Sequence, residues 1–289
     1  MCAQTMYEPL RRVIVKHPKE AFLSQNQLKD QWKSFHYIEE PHYERAIEEY
    51  EQFLGILKKH VDEINYLPAS EQTGIDSLYA HDPVKFTSEG AVLLRSGKAS
   101  RQPETKEYKH FLQKNNLPIL GELTGGAMAD GGDLVWLDDR TLAIGRGYRT
   151  NDEGIHQLKE LLNHLVDDFV IVPLPHDQGE EECLHLMSLI SIVDRDLAVV
   201  YSPLMPVFFR QLLLNRGISL IEIPKREYLT LGCNVLALAP RVCIIPENNE
   251  ETKRKLEEAG TVVYTYAGDE ISYKGTGGPT CLTAPVIRG

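Results

Sequence analysis

Short apolar runs recur along the chain, and a stretch of helical period follows each of them. The opening runs cover residues 12–15, 91–94, 142–145, 197–201 and 242–245. Each is bounded by proline, glycine or charge, which marks a buried strand. A helix is predicted behind each run: over 43–60, and near 104–114, 154–165, 207–215 and 250–259. In the first of these Ile47, Tyr50, Phe53, Leu54 and Leu57 fall on one face. Gly260 is placed to stop the last one. A second apolar run comes after each helix, at 64–67, 117–120, 169–172, 218–221 and 262–265. The turns between helix and second run are short, so the two elements can pack together.

A third strand is predicted to begin near His81-Asp82, Asp130-Gly131-Gly132-Asp133, His185-Leu186-Met187, Cys233-Asn234 and Thr280-Cys281. The unit thus repeats five times, in the period range where repeat folds are sought. One polar position per unit stands out: Asp82, Asp130, His185, Asn234 and Cys281, separated by gaps of 48, 55, 49 and 47 residues. If the units close around an axis, these positions converge at its end. Radial sheet modules around a polar channel are a known solution. The expected fold is therefore an α/β propeller of five modules with pseudo-fivefold symmetry. No low-complexity linker divides the chain, so residues 1–289 are read as one domain.

Composition narrows the function. Net charge is -11, which argues against a nucleic-acid surface and mildly favours a small cationic substrate. The five cysteines are odd in number and widely spaced, unlike a disulfide framework or a zinc ribbon, and they fit a reducing compartment. Cys2, Cys183, Cys233 and Cys243 are read as small buried hydrophobes. No signal peptide and no membrane-length apolar run is read, so cytoplasm is the expected location. Gly145-Arg146-Gly147 lacks the context of a dinucleotide loop, and no cofactor is expected. Cys183-Leu184-His185 carries metal-ligand types without zinc spacing, and no metal is expected either. The basic run Lys253-Arg254-Lys255 sits among glutamates and reads as a solvated helix face. Trp32, Phe35, Tyr37 and Tyr43 cluster ahead of the first long helix, either as packing or as a lid over the site.

The motifs Asp130-Gly131-Gly132-Asp133, His185-Leu186 and Gly277-Gly278-Pro279-Thr280-Cys281 together resemble the guanidino-group-modifying, or pentein, superfamily. That superfamily includes arginine deiminases, amidinotransferases and dimethylarginine dimethylaminohydrolases. Its five-module α/β propeller agrees with the repeat. The dimethylarginine hydrolases are the nearest likeness, through His81-Asp82, residues 91–95 with Ser100-Arg101, and Arg149-Thr150-Asn151. The resemblance implies that Asp82 holds a guanidinium and that Arg101 and Arg149 hold the substrate carboxylate. Two positions depart from the pattern. His81 stands where many dimethylarginine hydrolases carry an acid, and Met187 stands where deiminases carry an aspartate.

The chemistry asks for these residue types. A guanidinium carbon is a poor electrophile, and thiolate is a strong nucleophile at neutral pH. Cys281 follows a tight glycine-rich loop that can present it to a substrate. His185 can protonate the departing amine and then activate water. Asp130 would fix the imidazole tautomer, as a triad carboxylate does. A carboxylate at Asp82 suits the paired N–H groups of a guanidinium, and arginines grip a carboxylate in the same way. Asp133 reads as a turn former, and Asn234 as a residue satisfying backbone groups near the site. The expected reaction is hydrolysis of a guanidinium C–N bond through a covalent thiouronium, with a small guanidinium compound as the only partner besides a possible second copy. Alternatives are an arginine deiminase or dihydrolase, an amidinotransferase, and a non-catalytic binder on the same fold.

Overall fold

The computed structural model describes residues 3–181 and 183–289 and contains five three-stranded sheets; Cys2 lies outside the described residues. All five opening runs form the central strand of a sheet: β1 (Leu10–Val15), β4 (Ala91–Leu93), β7 (Thr141–Arg146), β10 (Leu197–Val200) and β13 (Val242–Pro246). A helix leads from each to a parallel partner: β2 (Glu63–Tyr66), β5 (Ile119–Glu122), β8 (Asp168–Pro173), β11 (Ser219–Glu222) and β14 (Val262–Tyr266). Parallel pairing with an intervening helix is the βαβ unit, which hides the central strand on both faces.

The third strands are β3 (Val84–Phe86), β6 (Leu134–Trp136), β9 (Ile190–Asp194), β12 (Leu236–Ala239) and β15 (Thr283–Arg288). Here the sequence repeat and the spatial module part company. Each third strand crosses to the next sheet and pairs antiparallel with its central strand: β3 with β4, β6 with β7, β9 with β10 and β12 with β13. A short connection makes that hairpin cheaper than a return to the strand just left. The last third strand has no following unit, and β15 pairs with β1, joining the end of the chain to its beginning. Third strands of neighbouring sheets pack on one another, β9 on β12 and β15 on β3. This is the five-module pentein arrangement.

Helix ends follow local chemistry. The long helix Tyr43–His60 buries Ala46, Tyr50, Phe53, Leu54 and Leu57, with Ile47 only partly covered. Truncating a fully buried ring such as Phe53 costs about 3–5 kcal/mol in cores of this kind. The third helix runs over Asp152–Leu162, two residues earlier than its apolar pattern begins, because Asn151 caps it by accepting the Gly154 N–H at 2.8 Å. It stops early because the amides of Leu165 and Val166 both turn back to the Leu162 carbonyl. Strand β5 starts two residues later than expected, since the Leu117 amide still bonds Leu112 at the end of the helix Glu104–Lys114. Among the described residues, no helix is long and apolar enough to cross a membrane.

Candidate active site

The polar members of the repeat do not lie in the third strands. They stand in the loops and turns ahead of them, Asp130 and His185 each at the start of a single 3₁₀ turn, where the backbone is free to aim a side chain inward. Asp82, His185 and Cys281 open onto one cavity of about 570 Å³, within the usual range for small-ligand sites. Asp130 is fully buried directly behind His185.

Asp130 ends an extended segment and Gly131-Gly132-Asp133 turns beneath it. Gly132 allows this packing, since a Cβ there would lie 2.4 Å from His185 Nδ1. Asp130 Oδ2 receives His185 Nε2 at 3.0 Å, and Oδ1 accepts the Gly97 amide at 3.1 Å. Asp133 holds the neighbouring backbone: it accepts the Leu186 amide at 2.9 Å and the Thr150 hydroxyl at 2.6 Å. It is the turn-holding residue the sequence suggested. Burial pushes its carboxyl up to about 6.

Asp82 accepts the Gly132 amide on Oδ1 at 3.1 Å and the Arg101 guanidinium on Oδ2. Burial works against its charge, but Arg101 and His185 prevail and hold it well below the usual carboxylate range. His185 shows the same competition. Burial alone would lower it, while the charges of Cys183 and Asp82 and the bond to Asp130 hold it well above its ordinary value. The balance of these effects favours the imidazolium form.

Cys281 sits after the glycine-rich loop and is partly open to the cavity. A Cβ on Gly278 would lie 2.5 Å from Asn234 Cγ, so the bare glycine lets Asn234 approach. Asn234 spans the loop: Nδ2 donates to Cys281 Sγ at 3.2 Å, and Oδ1 accepts the Thr280 amide at 3.0 Å. Asn234 thus touches the thiol itself as well as the backbone. Burial first, then the negative charges of Asp82 and Cys183, push the Cys281 thiol up to about 12.

Two expectations need correction. Arg101 is not placed to clamp a substrate carboxylate. Its guanidinium is buried and donates to Glu104 at 3.0 and 2.9 Å, to the Tyr79 carbonyl at 2.8 Å and to Asp82, which occupies four of its five N–H donors and leaves no pair for a bidentate grip. Cys183 is not an apolar filler: its Sγ stands 3.6 Å from His185 Nδ1 and lines the cavity. Burial would raise this thiol, but the His185 and Arg149 cations outweigh burial and lower it. The aromatic segment divides its roles. Tyr37 packs on Tyr79, with ring centroids 6.5 Å apart, whereas Phe35 forms part of the cavity wall.

Arg149 also lines the cavity, with Nη1 3.2 Å from Asp130. Met187 is buried and, like His185, lines the cavity. The ring of His81 gives Nδ1 to the Thr283 carbonyl at 2.8 Å, so Nδ1 carries the proton and Nε2 is a bare acceptor. That Nε2 is buried and has no protein partner among the described residues. Burial, aided by the Lys85 cation, pushes His81 down to about 4, so the ring is neutral. Donor atoms of Asp82, Asp130 and His185 lie within 4.8 Å of one another, a spacing a metal ion could use. Arg101 and Arg149 already bring positive charge to both carboxylates, and the imidazolium adds more, an arrangement that disfavours a further small cation.

Comparison with known proteins places this geometry in a family. Residues 18–288 match the family model described as N,N dimethylarginine dimethylhydrolase, eukaryotic. An uncharacterized protein YkgA of Bacillus subtilis is 27% identical over 286 residues, 99% of this chain and 95% of that protein. An arginine deiminase of Mycobacterium avium is 29% identical over 192 residues, 56% of this chain; the matched part is 47% of that enzyme, so the likeness spans about half its length. Among solved structures, a dimethylarginine dimethylaminohydrolase (DDAH) of Pseudomonas aeruginosa complexed with citrulline superimposes with a TM-score of 0.77 at 22% identity, covering 96% of this chain and 99% of that one. The N-terminal domain of ArgZ, a cyanobacterial arginine dihydrolase, superimposes with a TM-score of 0.79 at 20% identity, covering 96% and 97%. At these identities the structural likeness concerns the fold.

Proposed function

The chain belongs to the N,N-dimethylarginine dimethylhydrolase family, and on that premise we propose that it hydrolyses a guanidinium C–N bond of an arginine derivative. The observation that carries the proposal is that His185, backed by Asp130, opens onto the same cavity as Asp82 and Cys281. Closure of β15 onto β1 supports reading residues 1–289 as one domain.

In this reading the substrate guanidinium settles against Asp82, 4.0 Å from the free Nδ1 of His185. The incoming positive charge favours loss of the Cys281 proton to solvent through the cavity mouth, and Asn234 keeps the sulfur oriented. Sulfur attacks the guanidinium carbon and forms a C–S bond. The C–N bond to the departing amine breaks as His185 Nδ1 gives that amine its proton. The resulting S-alkylthiouronium is attacked by water, whose proton returns to Nδ1. The C–S bond then breaks as the remaining hydroxyl proton passes to sulfur, leaving a ureido product and the thiol. Asp130 holds Nε2 throughout, which keeps Nδ1 turned to the substrate.

Arg149 is the candidate for gripping a substrate carboxylate, and Arg101 positions Asp82. The finer reading is an Nω-methylated arginine as substrate, giving citrulline and an alkylamine. Incubation with arginine, methylarginines and simple guanidines, with products identified by mass spectrometry, tests it. Release of amine and ureido product that disappears in Cys281→Ser is the expected result. No turnover of any guanidine would leave the non-catalytic binder as the better account.

A further inference from the structure

A second cavity, of about 300 Å³, lies apart from the catalytic one. Its mouth is formed by exposed Tyr66, Lys114 and Asn115, and its wall by Leu67, Pro68 and Phe111. At its buried end stand Lys16, 3% exposed, and Ser77, 5% exposed. Lys16 Nζ has three protons to donate, yet among the described residues it reaches a single acceptor, the Thr73 hydroxyl at 3.3 Å. Ser77 Oγ is buried with no hydrogen-bond partner among the described residues. A native interior rarely leaves such donors idle without a reason. The cost of the arrangement falls on Lys16, whose ammonium burial pushes down despite the acidic neighbours Glu104 and Glu107.

We propose that this cavity is a binding site for a small monocarboxylate with a compact apolar body. The carboxylate would accept from Lys16 Nζ and Ser77 Oγ, and the body would cover Leu67, Pro68 and Phe111. Two carboxylates, Glu104 and Glu107, also line the cavity, but Glu104 is held by Arg101 and the cations Lys16 and Lys114 stand against them. The ammonium and hydroxyl at the buried end, both short of acceptors, suit a group that only accepts. The size follows from the volume, which is at the small end of ligand sites. The occupied site would stand next to the catalytic machinery. Glu104 lines it and also grips Arg101, which in turn holds Asp82. On the 3₁₀ turn Ile75–Leu78, Ser77 faces this cavity while Asp76 faces the catalytic one.

Because Glu104 serves both cavities, occupancy is better read as binding than as activity. Isothermal titration of the full chain with 4-methylpentanoate, 4-methylpentanamide and 3-methylbutylamine separates the head groups on near-identical bodies. We expect saturable one-site binding of the carboxylate, and binding at least about tenfold weaker for the amide and the amine. Lys16→Met should weaken the carboxylate by about tenfold or more, and Ser77→Ala by a factor of about three to five. Arg149→Met should leave it unchanged, which separates this site from the catalytic pocket. Should Lys16→Met fail to fold, the single hydroxyl removed in Ser77→Ala decides the matter. Equal binding of carboxylate and amide, loss through Arg149→Met instead, or no binding of the carboxylate at millimolar concentration would each overturn the proposal.

Discussion

The ring nitrogen of His185 that Asp130 leaves free, Nδ1, faces the thiol of Cys183 at 3.6 Å. The thiol of Cys281 is bonded to Asn234 instead. In the resting site the imidazolium therefore has a sulfur neighbour that is not the proposed nucleophile. Two thiols share the cavity with opposite electrostatics: Cys183 is lowered by the cations beside it, and Cys281 is raised by burial and by nearby negative charge. Cys183 thus helps keep His185 charged, and Cys281 waits in its neutral form for a cationic substrate.

That division predicts a pH effect. His185 is held well above its ordinary value, so the proton donor is present through neutrality and is lost on the alkaline side. Its contribution to stability has the same sign, present at low pH and lost as pH rises through the folded-state value. Replacing Cys183 by serine removes the lowered thiol that favours the imidazolium at Nδ1. The alkaline limb of kcat should then move to lower pH, while the maximal rate changes little. A limb that stays in place would mean that Cys183 does not set the charge of the imidazole.

The raised Cys281 thiol predicts selective reactivity. Pushed up to about 12, the thiol is overwhelmingly protonated at pH 7 in the free protein. Neutral iodoacetamide should label Cys281 slowly. A cationic haloacetamidine, which brings its charge beside Asp82, should label it much faster and spare Cys233 and Cys243, both buried and pushed higher still. Cys281→Ser should lose turnover by at least about a thousandfold with its fold intact. Peptide mapping of the labelled protein checks the first outcome, and circular dichroism with an activity assay checks the second.

The two arginines of the cavity should separate cleanly. Arg101→Met strands Asp82 and Glu104 without their cation in a buried setting, which typically costs about 3–5 kcal/mol. We expect a lower Tm and a fall in kcat/KM for every guanidine. Arg149→Met should mainly raise KM for substrates that carry a carboxylate and leave the decarboxylated guanidine agmatine nearly unaffected. Equal KM increases for both substrates in Arg149→Met would assign that residue to holding Asp130 alone.

Much of the site is legible in the amino-acid sequence. Asp82, Asp130, His185 and Cys281 announce themselves because each precedes a strand of the same kind at a near-constant interval, and periodicity survives translation into space. The helix Tyr43–His60 is legible for the same reason. What the pattern does not carry is direction. Whether a third strand folds back or crosses to the next sheet depends on connection length and on which edge is open, not on its own residues. The role of Cys183 depends on a loop conformation that brings it back over His185. Arg101 does carry a usable signal, since Glu104 lies three residues on and an i,i+3 pair of opposite charge competes with any substrate. His81 differs again: its tautomer is fixed by the Thr283 carbonyl, 202 residues away, a contact no local reading supplies.

The last prediction concerns which arginine derivative is turned over. Met187 is buried and lines the cavity two residues after His185, where a deiminase would carry a second carboxylate. A thioether offers an adaptable apolar surface that accepts N-methyl groups, whereas a carboxylate would lose a hydrogen bond to each of them. His81 adds no charge to that end of the pocket, since it is held neutral at about 4. The guanidinium would therefore meet one carboxylate, Asp82, rather than two. Fewer demands on its N–H groups mean that methylation costs little and the added methyl gains apolar contact. kcat/KM for Nω-methylated arginine should exceed that for arginine by about tenfold, the scale of one well-buried methyl. Met187→Asp should reverse the order, because the new carboxylate rewards unsubstituted N–H groups. A wild-type preference for arginine would instead favour a deiminase or dihydrolase, and the release of one or two ammonia molecules per arginine would then tell those two apart.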